Sequence, residues 1–208
     1  MPLSAPVRVL AGTVAAIAWA ALALQLTLIL RRVEARGLPA IDGVVVFFVF
    51  FTTQINILAA AVTTCAAAGV PWLSKRDGFR TALAAYMLAG SLIFALWLRP
   101  YYRHGGLQLL ADVLLHYVTP PLYIVFWLLA APKAALAWDA PWRWLIYPAV
   151  YIAAVLLFGM ATGFYPYPIV NLHRLDVWPV AVNVIGLGLA IVAAGFIVVA
   201  AMRRLARR

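Results

Sequence analysis

The stretch that decides the fold is Val44-Val45-Val46-Phe47-Phe48-Val49-Phe50-Phe51-Thr52-Thr53-Gln54-Ile55-Asn56-Ile57-Leu58. It is a long apolar run that carries four polar residues within five consecutive positions. Apolar residues flank these polar side chains in both directions, so the run offers no water-exposed helix face. Polar groups in hydrocarbon cost free energy unless they are paired, so they point into a bundle interior or a cavity. The stretch therefore predicts a membrane-embedded helix with an internal polar site.

The composition is that of an integral membrane protein. Of the 208 residues, 67% are hydrophobic and 11% are charged, whereas a soluble domain is about half apolar and about a quarter charged. The formal charge of +10 comes from basic residues that lie between the apolar runs and at the C-terminus. That pattern favours loops in contact with anionic lipid headgroups over a nucleic-acid partner. The single cysteine, Cys65, excludes an internal disulfide and a cysteine-based metal site.

Six apolar runs are long enough to cross a bilayer, which takes about 20 residues per helix. They cover residues 9–30, 41–68, 79–98, 107–131, 145–163 and 178–202. The first run is longer than the apolar core of a signal peptide, so we expect it to remain as a helix. The chain is predicted to form one all-α domain over residues 1–208, a polytopic bundle of six transmembrane helices.

The distribution of basic residues predicts the orientation of this bundle. An even number of spans places both termini on one side of the membrane. That side carries ten of the 16 Lys and Arg residues, and the opposite side carries six. Cytoplasmic loops are enriched in Lys and Arg, so both termini are predicted to be cytoplasmic.

The predicted helices bring two distant polar residues to one depth. Thr52 lies about ten residues, or roughly 15 Å, into the second run from its non-cytoplasmic end. His116 lies about nine residues, or roughly 13 Å, into the fourth run from the same side. Thr52 and Asn56 are four residues apart and share a helix face, Thr53 is three residues from Asn56, and Gln54 points elsewhere. We expect these groups and His116 to form one site.

The fourth run adds further candidates around the histidine. Gln108, Asp112 and His116 follow one another at intervals of four residues. The carboxylate of Asp112 can accept a hydrogen bond from one imidazole nitrogen and so fix the tautomer of the other. Pro120-Pro121 removes two amide donors, which predicts a kink and space for a ligand beside the histidine. Three more polar residues fall on the same non-cytoplasmic side: Tyr165, Tyr167 and Asn183.

Hydrolysis of an ester or an amide is the chemistry that these residues fit best. The runs contain no paired metal ligands, no Gly-x-Ser-x-Gly elbow and no phosphate-binding loop, so we predict neither a metal nor another cofactor. A hydroxyl becomes a good nucleophile when a base takes its proton, and an imidazole can return that proton to a leaving alkoxide. The amides of Asn56 or Gln54 can donate hydrogen bonds to an oxyanion. We expect membrane lipids as partners, and an ester or an amide with long acyl chains as substrate.

Two other interpretations fit the same residues. A transporter or a non-catalytic lipid-binding protein would use the polar cluster to bind a ligand, and a purely structural bundle would use it to join helices. Threonines in membrane helices often bond to the carbonyl four residues back or to a neighbouring helix. Tyr165 and Tyr167 also suit anchoring at the membrane interface, and Asp112 suits solvation near it.

Three segments carry a resemblance to a known family. They are Phe50-Phe51-Thr52-Thr53-x-x-Asn56, His116-x-x-x-Pro120-Pro121 and Thr162-Gly163-x-Tyr165-Pro166-Tyr167-Pro168. In this order they resemble segments of the androgen-induced membrane protein (FAR-17a-like) family. That family has six-helix bacterial members and animal members that hydrolyse fatty acid esters of hydroxy fatty acids (FAHFAs).

The resemblance implies a catalytic threonine and histidine. The histidine corresponds to His116. Thr52 matches the aromatic residues that precede the family's threonine, and Thr53 matches its spacing to the following Asn or Asp; Thr52 is favoured because its face includes Asn56. The resemblance further implies a threonine hydrolase of FAHFA type in a bacterial inner membrane.

Overall fold

A computed structural model describes residues 3–70, 77–130 and 136–206, and these residues form helices and loops without a β-strand. Six helices are long and apolar enough to cross a membrane, and α2 is a shorter apolar helix. The helices are α1 (Ala5–Glu34), α2 (Ala40–Val49), α3 (Phe51–Ala68), α4 (Gly78–Tyr101), α5 (Gly106–Ala130), α6 (Ala140–Thr162) and α7 (Val177–Ala206). The predicted all-α, six-span bundle is confirmed, and the chain is an integral multi-pass membrane protein.

Five of the basic residues behind the predicted orientation lie outside the described residues: Lys75, Arg76, Lys133, Arg207 and Arg208.

Small residues hold the helices together. In α1, Ala11, Ala18 and Ala21 are fully buried, and in α3 so are Ala59 and Ala60. Lipid tails are as apolar as the side chains, so helix association in a membrane depends on close packing, which small residues permit. This packing sets α1 against α3 and places the polar start of α3 inside the bundle.

The second apolar run is not one helix, so the prediction of a continuous helix over residues 41–68 is wrong. The chain breaks at Phe50, whose φ of −76° and ψ of 126° are extended. The Tyr151 hydroxyl donates to the Val49 carbonyl at 2.8 Å, and the Phe51 amide donates to the hydroxyls of Tyr151 and Tyr167 at 3.1 and 3.0 Å. Backbone groups within a membrane must be paired. Tyrosine hydroxyls do this at the break, so the helix can end and restart.

Helix α5 is irregular where the two prolines follow the histidine. Residues Leu114–Val118 form a π-helical turn, and α4 has a matching turn at Phe94–Leu98. Pro120 and Pro121 have no amide to offer the His116 carbonyl, which instead accepts a hydrogen bond from the Ser91 hydroxyl at 2.6 Å. The sequence predicts a kink at the prolines, and the structure has a π-helical turn just before them, which contains His116.

Candidate active site

Thr52 and His116 are in direct contact. The Thr52 Oγ1 lies 3.2 Å from the His116 Nε2, although the two residues are 64 positions apart. The His116 Nδ1 lies 3.0 Å from the backbone carbonyl oxygen of Asp112. A carbonyl oxygen only accepts hydrogen bonds, so Nδ1 carries the proton of the neutral ring and Nε2 is left to accept from the Thr52 hydroxyl. This arrangement can draw the proton from a threonine.

The imidazole is held on its face as well as at its edge. The Phe94 ring stacks on it with centroids 3.6 Å apart and an interplanar angle of 12°. Only 8% of His116 is exposed. The ring plane is therefore fixed by Phe94 and the ring rotation by the Asp112 carbonyl, so Nε2 stays directed at Thr52.

The carboxylate of Asp112 does not contact His116, which corrects the predicted carboxylate–imidazole bond. It pairs instead with His104 Nδ1 at 2.5 Å and accepts from Gln108 Nε2 at 3.3 Å. The physical reason is the π-helical turn that begins at Leu114. It brings the His116 ring against the backbone of residue 112, and the Asp112 side chain faces the loop that carries His104. His104 is thus part of the polar network.

The amides of Asn56 and Gln54 are committed to structural hydrogen bonds, so neither takes the expected role of oxyanion donor. Asn56 Nδ2 donates to the carbonyls of Thr52 at 2.8 Å and Leu115 at 3.3 Å, which ties α3 to α5. Gln54 Nε2 donates to the Phe48 carbonyl at 2.8 Å, and its Oε1 accepts from the Tyr147 hydroxyl at 2.5 Å.

The first turn of helix α3 supplies backbone amides beside the Thr52 hydroxyl. The helix begins at Phe51, so the amides of Thr52 and Thr53 belong to its first turn and have no intrahelical acceptor. The Thr52 amide donates instead to the Tyr167 hydroxyl. The positive end of the helix dipole lies at the same point. Thr53 lines the same cavity as Thr52, but no hydrogen bond joins its hydroxyl to His116 within the described residues. The geometry therefore separates the two threonines and places Thr52 against the base.

Of the three predicted residues on the loop side, the structure brings only Tyr167 to the site. Its hydroxyl contacts Thr52 and Tyr151; burial raises the pKa of Tyr167, and the hydrogen bonds to those two residues oppose the rise. Tyr165 packs on His173 with ring centroids 5.4 Å apart and lines neither cavity described below. Asn183 donates to the Ile169 carbonyl at 2.7 Å and so fixes the loop that presents Tyr167.

Two cavities meet at Thr52. The first has a volume of about 350 Å³ and is bordered by His116 and by charged and amide side chains at the end of the bundle opposite the termini. The second has a volume of about 230 Å³ and lies between α4, α6 and α7, with mostly aliphatic walls. Thr52, Phe94 and Tyr167 border both cavities. We call them the polar cavity and the apolar cavity.

Sequence reasoning missed the apolar cavity and two residues of the site. Arg32 borders the polar cavity and Tyr151 borders the apolar one. The role of Arg32 could have been predicted from the sequence, because Arg32 follows the end of the first apolar run on the same side of the membrane as the polar cluster. Tyr151 had none, because its role depends on a break in a distant helix.

Comparison of the chain with family models, with curated proteins and with solved structures finds no match. Function therefore has to be inferred from the chemistry of the site. Within the described residues, no group of three or more His, Cys, Asp or Glu side chains is placed to hold a metal ion. What the site does offer is a hydroxyl, an imidazole with a defined tautomer, a helix N-terminus and two cavities of different polarity.

Proposed function

We propose that this chain is an intramembrane hydrolase that cleaves lipid esters, with Thr52 as nucleophile and His116 as general base and acid. The observation that carries the proposal is the 3.2 Å contact between Thr52 Oγ1 and His116 Nε2, together with the Nδ1 proton held by the Asp112 carbonyl. A hydroxyl next to a base of this tautomer is the minimal arrangement for nucleophilic catalysis. The resemblance to the FAHFA-hydrolysing family supports the same pair and suggests a FAHFA-type ester.

The first half of the reaction acylates the threonine. His116 Nε2 takes the proton of the Thr52 hydroxyl as Oγ1 bonds to the ester carbonyl carbon. The bond between that carbon and the alcohol oxygen then breaks, and the leaving alkoxide takes the proton from Nε2. The acyl group stays on Thr52 Oγ1, and the imidazole is neutral again.

The second half hydrolyses the acyl-threonine. Water gives a proton to His116 Nε2 as its oxygen bonds to the acyl carbon. The bond from that carbon to Oγ1 breaks, Oγ1 takes the proton from Nε2, and the free acid leaves. Both halves pass through an oxyanion, and the first-turn amide of Thr53 at the positive end of α3 is suited to stabilise it.

A six-span chain whose substrate is a lipid suits a bacterial inner membrane, which we propose as its location. Ala149 borders the apolar cavity and is exposed on the outside of the bundle. We propose that a lipid ester reaches Thr52 from the bilayer on this side, and that water reaches it through the polar cavity.

Fluorophosphonate labelling tests the proposal directly. Purified protein is treated in detergent with an alkyl fluorophosphonate, and the adduct is mapped by mass spectrometry. We expect an adduct on Thr52 that is lost in Thr52→Val and in His116→Ala. Thr53→Val is the matched control and should label like the wild type, because Thr53 makes no hydrogen bond to His116.

Two results would count against this assignment. An adduct on Thr53 would show that Thr53, and not Thr52, is the nucleophile. Folded wild-type protein that neither labels nor hydrolyses esters would reject the hydrolase and favour a lipid-binding or transport role for the same cavities.

A further inference from the structure

We propose that the ester binds in a single orientation, with its acyl chain in the apolar cavity and its alcohol half in the polar cavity, and that Gly188 sets the capacity of the acyl site. This inference rests on the proposed hydrolase function. It names which half of the substrate each cavity takes, and hence which residues determine specificity for each half.

The position of the base decides the orientation. His116 borders the polar cavity and is not part of the apolar one, whereas Thr52 borders both. The leaving alkoxide must receive its proton from His116 Nε2, so the alcohol half has to leave on the His116 side. The acyl group remains bonded to Thr52 Oγ1 and therefore has to occupy the space on the other side, which is the apolar cavity.

The walls of the apolar cavity match an acyl chain. Apart from Thr52 and the hydroxyls of Tyr151 and Tyr167, its lining side chains are aliphatic or aromatic. The two hydroxyls are already engaged with the backbone at the helix break. The remaining surface has nothing to offer a polar group, so it favours hydrocarbon.

The walls of the polar cavity match an alcohol half that carries a polar or anionic group. Arg32 Nη2 donates to Gln108 Oε1 at 3.1 Å, and Arg36 also borders this cavity. In the described part of the chain, neither arginine pairs with a carboxylate. Asp112 at the same cavity is paired with His104. A second carboxylate, Asp42, also borders the polar cavity. Two arginines therefore stand against one carboxylate outside the Asp112–His104 pair, which leaves a cationic group available for an anion such as a carboxylate or a phosphate.

Gly188 lies on the wall of the apolar cavity, and the space next to its Cα is open. A Cβ at this position would have no atom within 4 Å. Gly90 borders the same cavity but is tighter, because a Cβ there would lie 3.2 Å from Ile55 Cδ1. At the roughly 30 Å³ that one water molecule occupies in the liquid, the 230 Å³ of this cavity has room for about eight groups of that size, such as methylenes. A leucine or phenylalanine at 188 would occupy much of that space.

The test compares two ester series on full-length protein in detergent. The first series keeps p-nitrophenol as the alcohol and varies the acyl chain from acetyl to palmitoyl. The second series keeps the acetyl group and varies a 1-alkanol of increasing length. We expect Gly188→Phe to lower kcat/KM for octanoyl and longer esters by about tenfold or more, with the acetyl ester and the alkanol series unchanged. Gly188→Leu should give a smaller loss in the same direction.

Leu189→Phe is the matched control, because Leu189 is the neighbouring residue on α7 and is 59% exposed. It should leave both series unchanged. In every variant, the rate of hydrolysis of the acetyl ester shows whether the protein is folded. Gly188→Ala is a third and smaller substitution at the same position, and alanine favours the helix.

A second readout is Arg32→Gln, which should lower kcat/KM for acetyl esters of hydroxy acids or of glycerol phosphate but not for those of neutral alcohols. Whichever anionic ester is more sensitive identifies the anion as carboxylate or phosphate.

The outcomes separate the two proposals. One outcome is a wild type that hydrolyses both series while the Gly188 variants keep its dependence on chain length. That result overturns the proposed orientation but not the proposed hydrolase function. Loss of activity on the long alkanol series instead of the long acyl series also overturns it, because the halves would be reversed. A folded wild type that is neither labelled nor active overturns the hydrolase and the orientation with it.

Discussion

At the scale of single residues, the contact between Thr52 and His116 makes the sharpest prediction. Thr52→Val and His116→Ala should each lower kcat by roughly 10² to 10⁴, because one removes the nucleophile and the other its base. Thr52→Ser should keep measurable activity, since it retains the hydroxyl. Steady-state hydrolysis of a medium-chain ester checks this.

Thr53→Val is the control for that prediction. Thr53 is 2% exposed, and valine has nearly its shape. If Thr53→Val were as inactive as Thr52→Val, the hydroxyl that faces His116 would not be the one that reacts.

The sequence was sufficient to predict the meeting of Thr52 and His116 but not what orients the histidine. Their common depth follows from the alternation of helices and a rise of about 1.5 Å per residue. The orientation depends on the π-helical turn at Leu114–Val118, which turns His116 Nδ1 onto a carbonyl. An ideal helix places the Asp112 side chain near His116, and the sequence pattern alone assumes an ideal helix.

At the scale of helices, the break at Phe50 depends on tyrosine hydroxyls. Tyr151→Phe should destabilise the fold by about 1–3 kcal/mol, because it removes a donor from the Val49 carbonyl and an acceptor from the Phe51 amide. Tyr167→Phe should destabilise it less, since the Phe51 amide keeps its bond to Tyr151, but it should also reduce kcat through the lost contact with Thr52. Thermal unfolding in detergent and ester hydrolysis measure the two effects.

Tyr165→Phe is the matched control for the tyrosine variants. The Tyr165 hydroxyl is buried and has no hydrogen-bond partner among the described residues. Its removal should be neutral or slightly stabilising. Equal losses for all three Tyr→Phe variants would mean that the hydroxyls at the break have no special role.

A second prediction at this scale concerns how α6 receives the Tyr165 ring. A Cβ at Gly159 would lie 2.2 Å from Tyr165 Cε1, so Gly159→Ala should destabilise the protein by about 1–3 kcal/mol. Gly188→Ala places the same methyl group in open space and should be neutral or stabilising. The midpoints of thermal unfolding compare the two. Tyr165→Ala in the Gly159→Ala background should recover part of the loss; no recovery would place the strain elsewhere.

The helix break could not be predicted from its own residues. Phe50 and its neighbours include neither Pro nor Gly, and the apolar run continues through them. The cause lies about 100 residues away, in Tyr151 of α6 and Tyr167 of the following loop. A helix that starts at Phe51 also moves the first-turn amides to the site, so the same distant residues determine where an oxyanion can be stabilised.

At the scale of the whole molecule, composition was enough to predict six spans, but not the two cavities. A span depends on a local run of apolar residues, whereas each cavity depends on how several helices pack.

Basic residues on the side of the termini also donate hydrogen bonds to backbone carbonyls, two of them at helix ends. Arg8 donates to the Ala67 carbonyl near the end of α3, and Arg80 donates to the Ala130 carbonyl at the end of α5. Arg203 donates to the carbonyl of Leu136, in the loop before α6. The charge bias that predicts orientation is therefore built into the packing as helix caps.

That bias predicts that the polar cavity opens away from the cytoplasm. In a Cys65→Ser background expressed in bacterial cells, Ser4→Cys and Gly105→Cys place single thiols at exposed positions on opposite sides of the bundle. A membrane-impermeant maleimide added to intact cells should label the Gly105→Cys protein, and should label the Ser4→Cys protein only after the cells are lysed. The reverse pattern would mean that the orientation in the membrane is inverted, with Arg32, His104 and the entry of water on the cytoplasmic side. Because the depth of Thr52 and His116 does not depend on orientation, their contact would stand in either case, and the result decides which compartment supplies the water for hydrolysis.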